Sequence, residues 1–203
     1  MNISMSKEHR AHWGDIANYQ LQVLDLWVKL AIEKPPLAFQ FVAYFSALNA
    51  IYWLWDSIDT AQRALNGDAP LKRSELRQIQ FLIDQLQRDA VEQLLNNPEI
   101  SATVEYFVST RLAIRNMKER QKSQDGKSTK WKEELAASIE PHPRLKALAS
   151  ILYQVRCNLV HGSKYVTGPD DQLLERCIPA LRELARAARD YTETQAAGLW
   201  FYT

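Results

Sequence analysis

The chain has 203 residues, 46% of them hydrophobic and 24% charged, with a formal net charge of +1. Such a length and composition fit one globular domain over residues 1–203 and exclude a disordered chain, while the near-neutral balance excludes a strong whole-surface attraction to nucleic acid. The two cysteines, Cys157 and Cys177, both fall in helical patterns and offer no disulfide framework, so a reducing, cytoplasmic setting is expected.

Met1–Trp13 is polar and lacks the apolar core of a secretion signal. Stretches rich in Leu, Ala, Gln, Glu and Arg, with few Gly or Pro between them, predict an all-α, single-domain bundle of about five to seven helices. Over Asp15–Glu33 the apolar positions Ile16, Tyr19, Val23, Leu26, Trp27 and Leu30 have the spacing of an amphipathic helix, and Pro35-Pro36 stops it. Leu37–Leu65 reads as a long buried helix ending near Asn66-Gly67; Gln40, Ser46, Asn49 and Asp56 interrupt it, which suits a protein core better than lipid, and no membrane association is expected. Within it, Asn49 beside Tyr52 and Trp53 is expected to be a buried hydrogen-bonding residue.

Leu71–Leu95 should form a helix with one wet face, closed by Asn96-Asn97-Pro98, and a fourth helix should start after Pro98. From Arg111 to Lys132 there are eight basic residues against Glu119 and Asp125. Within that segment 121–130 is polar, contains Gly126 and is expected to be a mobile loop. A short helix over Trp131–Ile139 precedes the Pro141-His142-Pro143 break. Leu145, Leu148, Ile151, Leu152, Val155 and Leu159 then mark a helix that Gly162 is placed to end, and a last helix covers about Asp170–Gln195. The tail 198–203, with Trp200, Phe201 and Tyr202, is apolar enough to dock on the body or on a partner.

The sequence has no glycine-rich phosphate loop, no paired-cysteine motif and no His-Glu pair at the spacing of a helical zinc site, so neither metal nor cofactor is expected. His9 and His12 can share a helical face, but no further ligands accompany them. Cys157 has only His161 nearby to activate it and reads more simply as a small packed thiol.

One segment concentrates polar chemistry at the end of an apolar helix: Leu152-Tyr-Gln-Val-Arg-Cys-Asn-Leu-Val-His-Gly-Ser-Lys164. It resembles the signature of the HEPN superfamily, helical proteins in which an Arg, four to six intervening residues and a His form the active motif. Arg156 and His161 match with four residues between them. The polar residue that often follows the Arg directly is replaced by Cys157, and Asn158 stands one place later. The apolar Phe45-Ser-Ala-Leu-Asn-Ala-Ile-Tyr52 stretch and Arg115-Asn116-Met117 are similar to further family elements.

The resemblance implies metal-independent RNA cleavage by Arg156, His161 and Asn158 in a homodimer that shares its active cleft. RNA would be bound by Lys164, Arg115, Lys118, Arg120 and Tyr153, with Trp131 or Tyr165 open to base stacking. The expected setting is a toxin or defence protein under an antitoxin or other regulator. The residue types suit the chemistry: Arg stays charged and fits phosphate oxygens, and His exchanges protons near neutrality. At a helix C-terminus the macrodipole favours the imidazolium, an acid role for His161. Five positions at about 100° each place Arg156 and His161 about 140° apart on one helix, so either the helix distorts or two copies share the site. The competing reading is a non-catalytic HEPN-like module that binds RNA, nucleotide or protein, with Arg156 in an ion pair and Asn158 and His161 capping the helix.

Overall fold

The most apolar stretch of the sequence becomes the centre of the fold. In the computed structural model, which describes residues 6–33, 35–69, 71–109, 122–160 and 168–200, the described residues form helices and their connections and no strand. In order these are α1 (Lys7–Ile32), α2 (Leu37–Leu65), α3 (Glu75–Gln85), α4 (Arg88–Asn96), α5 (Pro98–Ser109), α6 (Lys122–Ala137), α7 (Pro141–Val160) and α8 (Gly168–Trp200). Side chains at 7, 122–129, 168–170 and 198–200 lie outside the description, so the expected docking of the aromatic tail falls there too.

Because apolar residues occupy more than one face of α2, the helix is enclosed: Phe41, Tyr52 and Trp55 are at most 1% exposed. α1 and α8 lie along it, α3 bridges α2 and α7, α5 packs on α8, and α6 packs on α7. Trp55 Nε1 donates to Thr192 Oγ1 of α8 at 3.0 Å, satisfying the one polar atom of a buried indole. By length and composition α2 alone among the described helices is apolar enough to cross a membrane, yet more than half of its most apolar window is buried inside the bundle.

Helix boundaries follow local chemistry. Ser6 caps α1, its hydroxyl accepting from the His9 amide at 3.3 Å, so the helix begins well before the expected Asp15. At the end of α2 the Gly67 amide donates to the Ala64 carbonyl at 3.1 Å and the Asp68 amide to the Arg63 carbonyl at 2.9 Å, a Schellman turn closed by Gly67 at φ +78°. Asn97 caps α5 through its side chain, with Pro98 in the first helical position.

The structure corrects the sequence reading at three places. The helix expected over Leu71–Leu95 is two helices, because Leu86 and Gln87 are extended, and eight helices result among the described residues where five to seven were expected. Most of the expected loop at 121–130 belongs to helix α6, whose Lys, Gln, Glu and Ala content favours that conformation despite Gly126, with Lys130 and Glu134 paired one turn apart. Asn49 is only partly buried and lines a surface groove with Trp27 and Trp53 instead of bridging the core.

Candidate active site

α3 and α7 lie antiparallel, and a ladder of polar contacts sets their register. Gln80 Nε2 donates to Ser150 Oγ at 3.1 Å, Lys146 pairs with Asp84, and the His142 ring meets the Leu86 carbonyl at 3.0 Å. The last of these occupies a backbone group freed by the α3–α4 break. At the other end Arg156 Nη1 reaches Glu75 Oε2 at 3.3 Å. Glu75 is the first residue of α3 and Arg156 lies near the C-terminus of α7, so the ladder brings one helix start against the motif end of the other.

Glu75 is held from a second side. The hydroxyl of Tyr52, fully buried in α2, donates to Glu75 Oε1 at 2.7 Å. Burial, then the bond to Glu75, raises the Tyr52 pKa far above its ordinary value, so the hydroxyl remains a donor at all physiological pH. A carboxylate at the first position of a helix also has the favourable end of the macrodipole behind it. The Arg156 guanidinium stands 5.8 Å from the Phe45 ring centre and a quarter of its side chain (25%) remains exposed. A cation so placed can meet an anionic ligand without leaving its partner.

The approach of the chain to Glu75 is fixed by a buried clamp. Arg73 donates to Asp56 at 2.7 Å and to Asp59 at 2.8 Å, Gln78 donates to the other Asp56 oxygen at 2.7 Å, and the Arg73 guanidinium covers the Phe81 ring at 4.0 Å. Both oxygens of the 8%-exposed Asp56 are thus satisfied. The segment entering α3 is pinned to α2 two residues before Glu75.

The other expected site residues are distributed differently. Asn158, two positions beyond Arg156 and so about 200° round the helix, is buried, and its Oδ1 accepts from Gln154 at 3.0 Å. Tyr153 packs 6.2 Å from the Phe45 ring, and burial with its Cys157 neighbour raises its hydroxyl pKa; it is half-buried against the core. Trp131 is likewise packed on the core. His161, Lys164 and Tyr165, and the basic residues Arg115, Lys118 and Arg120, lie outside the described residues.

Among the described residues no group of three or more His, Cys, Asp or Glu side chains is placed to hold a metal. A cleft of about 360 Å³ opens between α4 and α8 and is lined by Asn97, Glu183, Arg186, Tyr191 and Gln195, with no residue of α7. Sequence reasoning missed Glu75 altogether, for it lies 81 positions from Arg156 and no local motif marks it. Compared with known proteins, the chain matches no protein-family profile, no curated protein and no solved structure.

Proposed function

We propose that the protein is a metal-independent endoribonuclease of HEPN type, cleaving RNA by attack of the 2′-hydroxyl to leave 2′,3′-cyclic phosphate and 5′-hydroxyl ends. The observation that carries the reading is the setting of Arg156: a guanidinium near the end of α7, oriented by Glu75 yet partly open, with four residues between it and His161 in the sequence. Arg156 would stabilise the phosphorane charge and His161 would protonate the leaving 5′-oxygen. Lys164 and the basic segment with Arg115, Lys118 and Arg120 would hold flanking phosphates. The partners that belong to this reading are RNA, a second copy facing the first across a shared cleft, and an antitoxin or other regulatory protein, in the cytoplasm.

A second reading is favoured by the same ion pair. With its charge already balanced by Glu75, Arg156 can serve packing alone, and the chain would then be a non-catalytic helical module binding RNA, nucleotide or a protein partner. The two are separated by incubating the purified protein with labelled RNA in EDTA beside Arg156→Ala and His161→Ala, each checked for folding. Cyclic-phosphate ends that disappear in folded variants support the nuclease. RNA left intact across several substrates supports the binding module.

A further inference from the structure

A second site stands apart from Arg156, in the cleft of about 360 Å³ between α4 and α8. Its hollow follows from small residues: each wall carries an alanine, Ala90 on α4 and Ala187 on α8, where longer side chains would fill the space. Leu86 and Leu94, both buried, add apolar surface. The volume lies at the low end of the roughly 300–1,000 Å³ of small-molecule sites, so the cleft suits one small molecule and not a nucleotide chain.

The charges around it are arranged in two steps. Glu183, 6% exposed, receives a hydrogen bond at Oε2 from Asn97 Nδ2 at 3.1 Å and pairs there with Arg186 Nη2 at 3.0 Å, while Arg182 Nε stands 3.7 Å from Oε1. The buried carboxylate is thus matched within the protein, and it orients Arg186. The Arg186 side chain still exposes 67% of its surface, so the remaining donors of its guanidinium are open to a ligand. One turn along α8 stands Asp190, exposed, whose carboxylate pairs with neither Arg186 nor any other described residue. Residues four apart share a helix face, with Cβ atoms about 5–6 Å from each other. An open cation and an open anion therefore stand side by side at the edge of an apolar hollow.

We infer that this cleft binds a free α-amino acid with an apolar side chain, its carboxylate on Arg186, its ammonium on Asp190 and its side chain against Leu94, Ala187 and the ring of Tyr191. Ligands of one sign fit less well. A simple anion drawn to Arg186 meets Asp190, and a simple amine drawn to Asp190 meets Arg186, whereas a zwitterion carries both complementary charges on one carbon. Tyr191 adds a donor: its hydroxyl bonds to no described residue, and burial keeps it protonated at neutral pH. Gln93 and Gln195, also on the cleft walls, offer amide donors and acceptors to the same two polar groups.

The test is isothermal titration calorimetry of the full chain with L-leucine, L-methionine and L-phenylalanine, each beside its decarboxylated amine and its N-acetyl derivative. At least one of the three amino acids should saturate a single site with a Kd of about 1 mM or tighter. Its amine, which lacks the carboxylate, and its N-acetyl derivative, which lacks the ammonium, should each bind about tenfold or more weaker. Asp190→Asn alters an exposed, unpaired side chain and is expected to fold and to weaken binding by a similar factor, as is Arg186→Gln. If Arg186→Gln does not fold, the two derivatives read both charges on the wild-type protein. No saturable heat with any of the three amino acids up to about 10 mM overturns the assignment. Binding that is unchanged in folded Asp190→Asn overturns it as well, because the ligand then sits elsewhere. An amine that binds as tightly as its parent amino acid also counts against the proposal and makes the cleft a site for organic cations.

Discussion

Tyr52, which has no exposed surface, donates its hydroxyl to Glu75 at 2.7 Å, and through that one carboxylate α2 is tied to Arg156 on α7. Tyr52→Phe removes the donor and leaves the ring packing intact. Glu75 retains contact with water, so the cost is that of one hydrogen bond to a charged group, about 1–2 kcal/mol. The urea midpoint should fall by that amount with an unchanged m value. A variant as stable as wild type would show that the bond is not formed in solution.

Arg73→Met should be more damaging. It removes the cation from Asp56, whose side chain is only 12% exposed, and leaves a buried charge with a single amide donor. Stranding one member of such a pair costs about 3–5 kcal/mol. Adding Asp56→Asn to Arg73→Met discards the charge while keeping an acceptor for Gln78, and should recover part of the loss. Equilibrium unfolding of the single and double variants measures both; equal stabilities would mean that Asp56 is not charged in the folded state.

The contrast between α2 and the Glu75 site shows what a linear reading can see. α1 and α2 were legible because their apolar periodicity and their Pro or Gly stops are local properties of a few turns, and α7 was legible from its apolar periodicity. The division of α3 from α4 was not: Leu86 and Gln87 are neither Pro nor Gly, and the break is supported by His142, 56 positions away, which takes up the Leu86 carbonyl. The segment 121–130 misled because its composition lacks an apolar face, although its residues favour helix. Arg156 was found by its place in a motif, whereas Glu75 is adjacent to it only after two helices pack.

Gly67 gives a clean test of backbone strain. Its φ of +78° closes the Schellman turn after α2, and a methyl group there would meet no atom within 4 Å, so substitution is governed by conformation alone. Gly67→Ala is expected to lose about 1 kcal/mol. Gly67→Asn, whose side chain tolerates the left-handed region, should lose less. If Ala and Asn are equally tolerated, the turn does not hold this conformation in solution.

Alkaline stability should report on the packing of α8 against α2. Tyr191 packs with its ring centre 5.1 Å from that of Trp55, tilted 53° to it, and burial pushes its hydroxyl up to about 12 from an ordinary value near 10. The folded state therefore holds this proton more tightly than the unfolded state. By linkage its contribution is fully present below about pH 10 and is lost as pH rises toward about 12, because ionisation becomes easier on unfolding. Tyr52 and Tyr153 shift in the same direction, so wild-type stability should decline over this range, and Tyr191→Phe, which cannot ionise, should decline less steeply. Urea titrations at pH 8 and pH 11 on both proteins measure the difference. Parallel losses in wild type and variant would show that the Tyr191 hydroxyl is solvated in the native protein and that α8 sits more loosely on Trp55 than the structure has it.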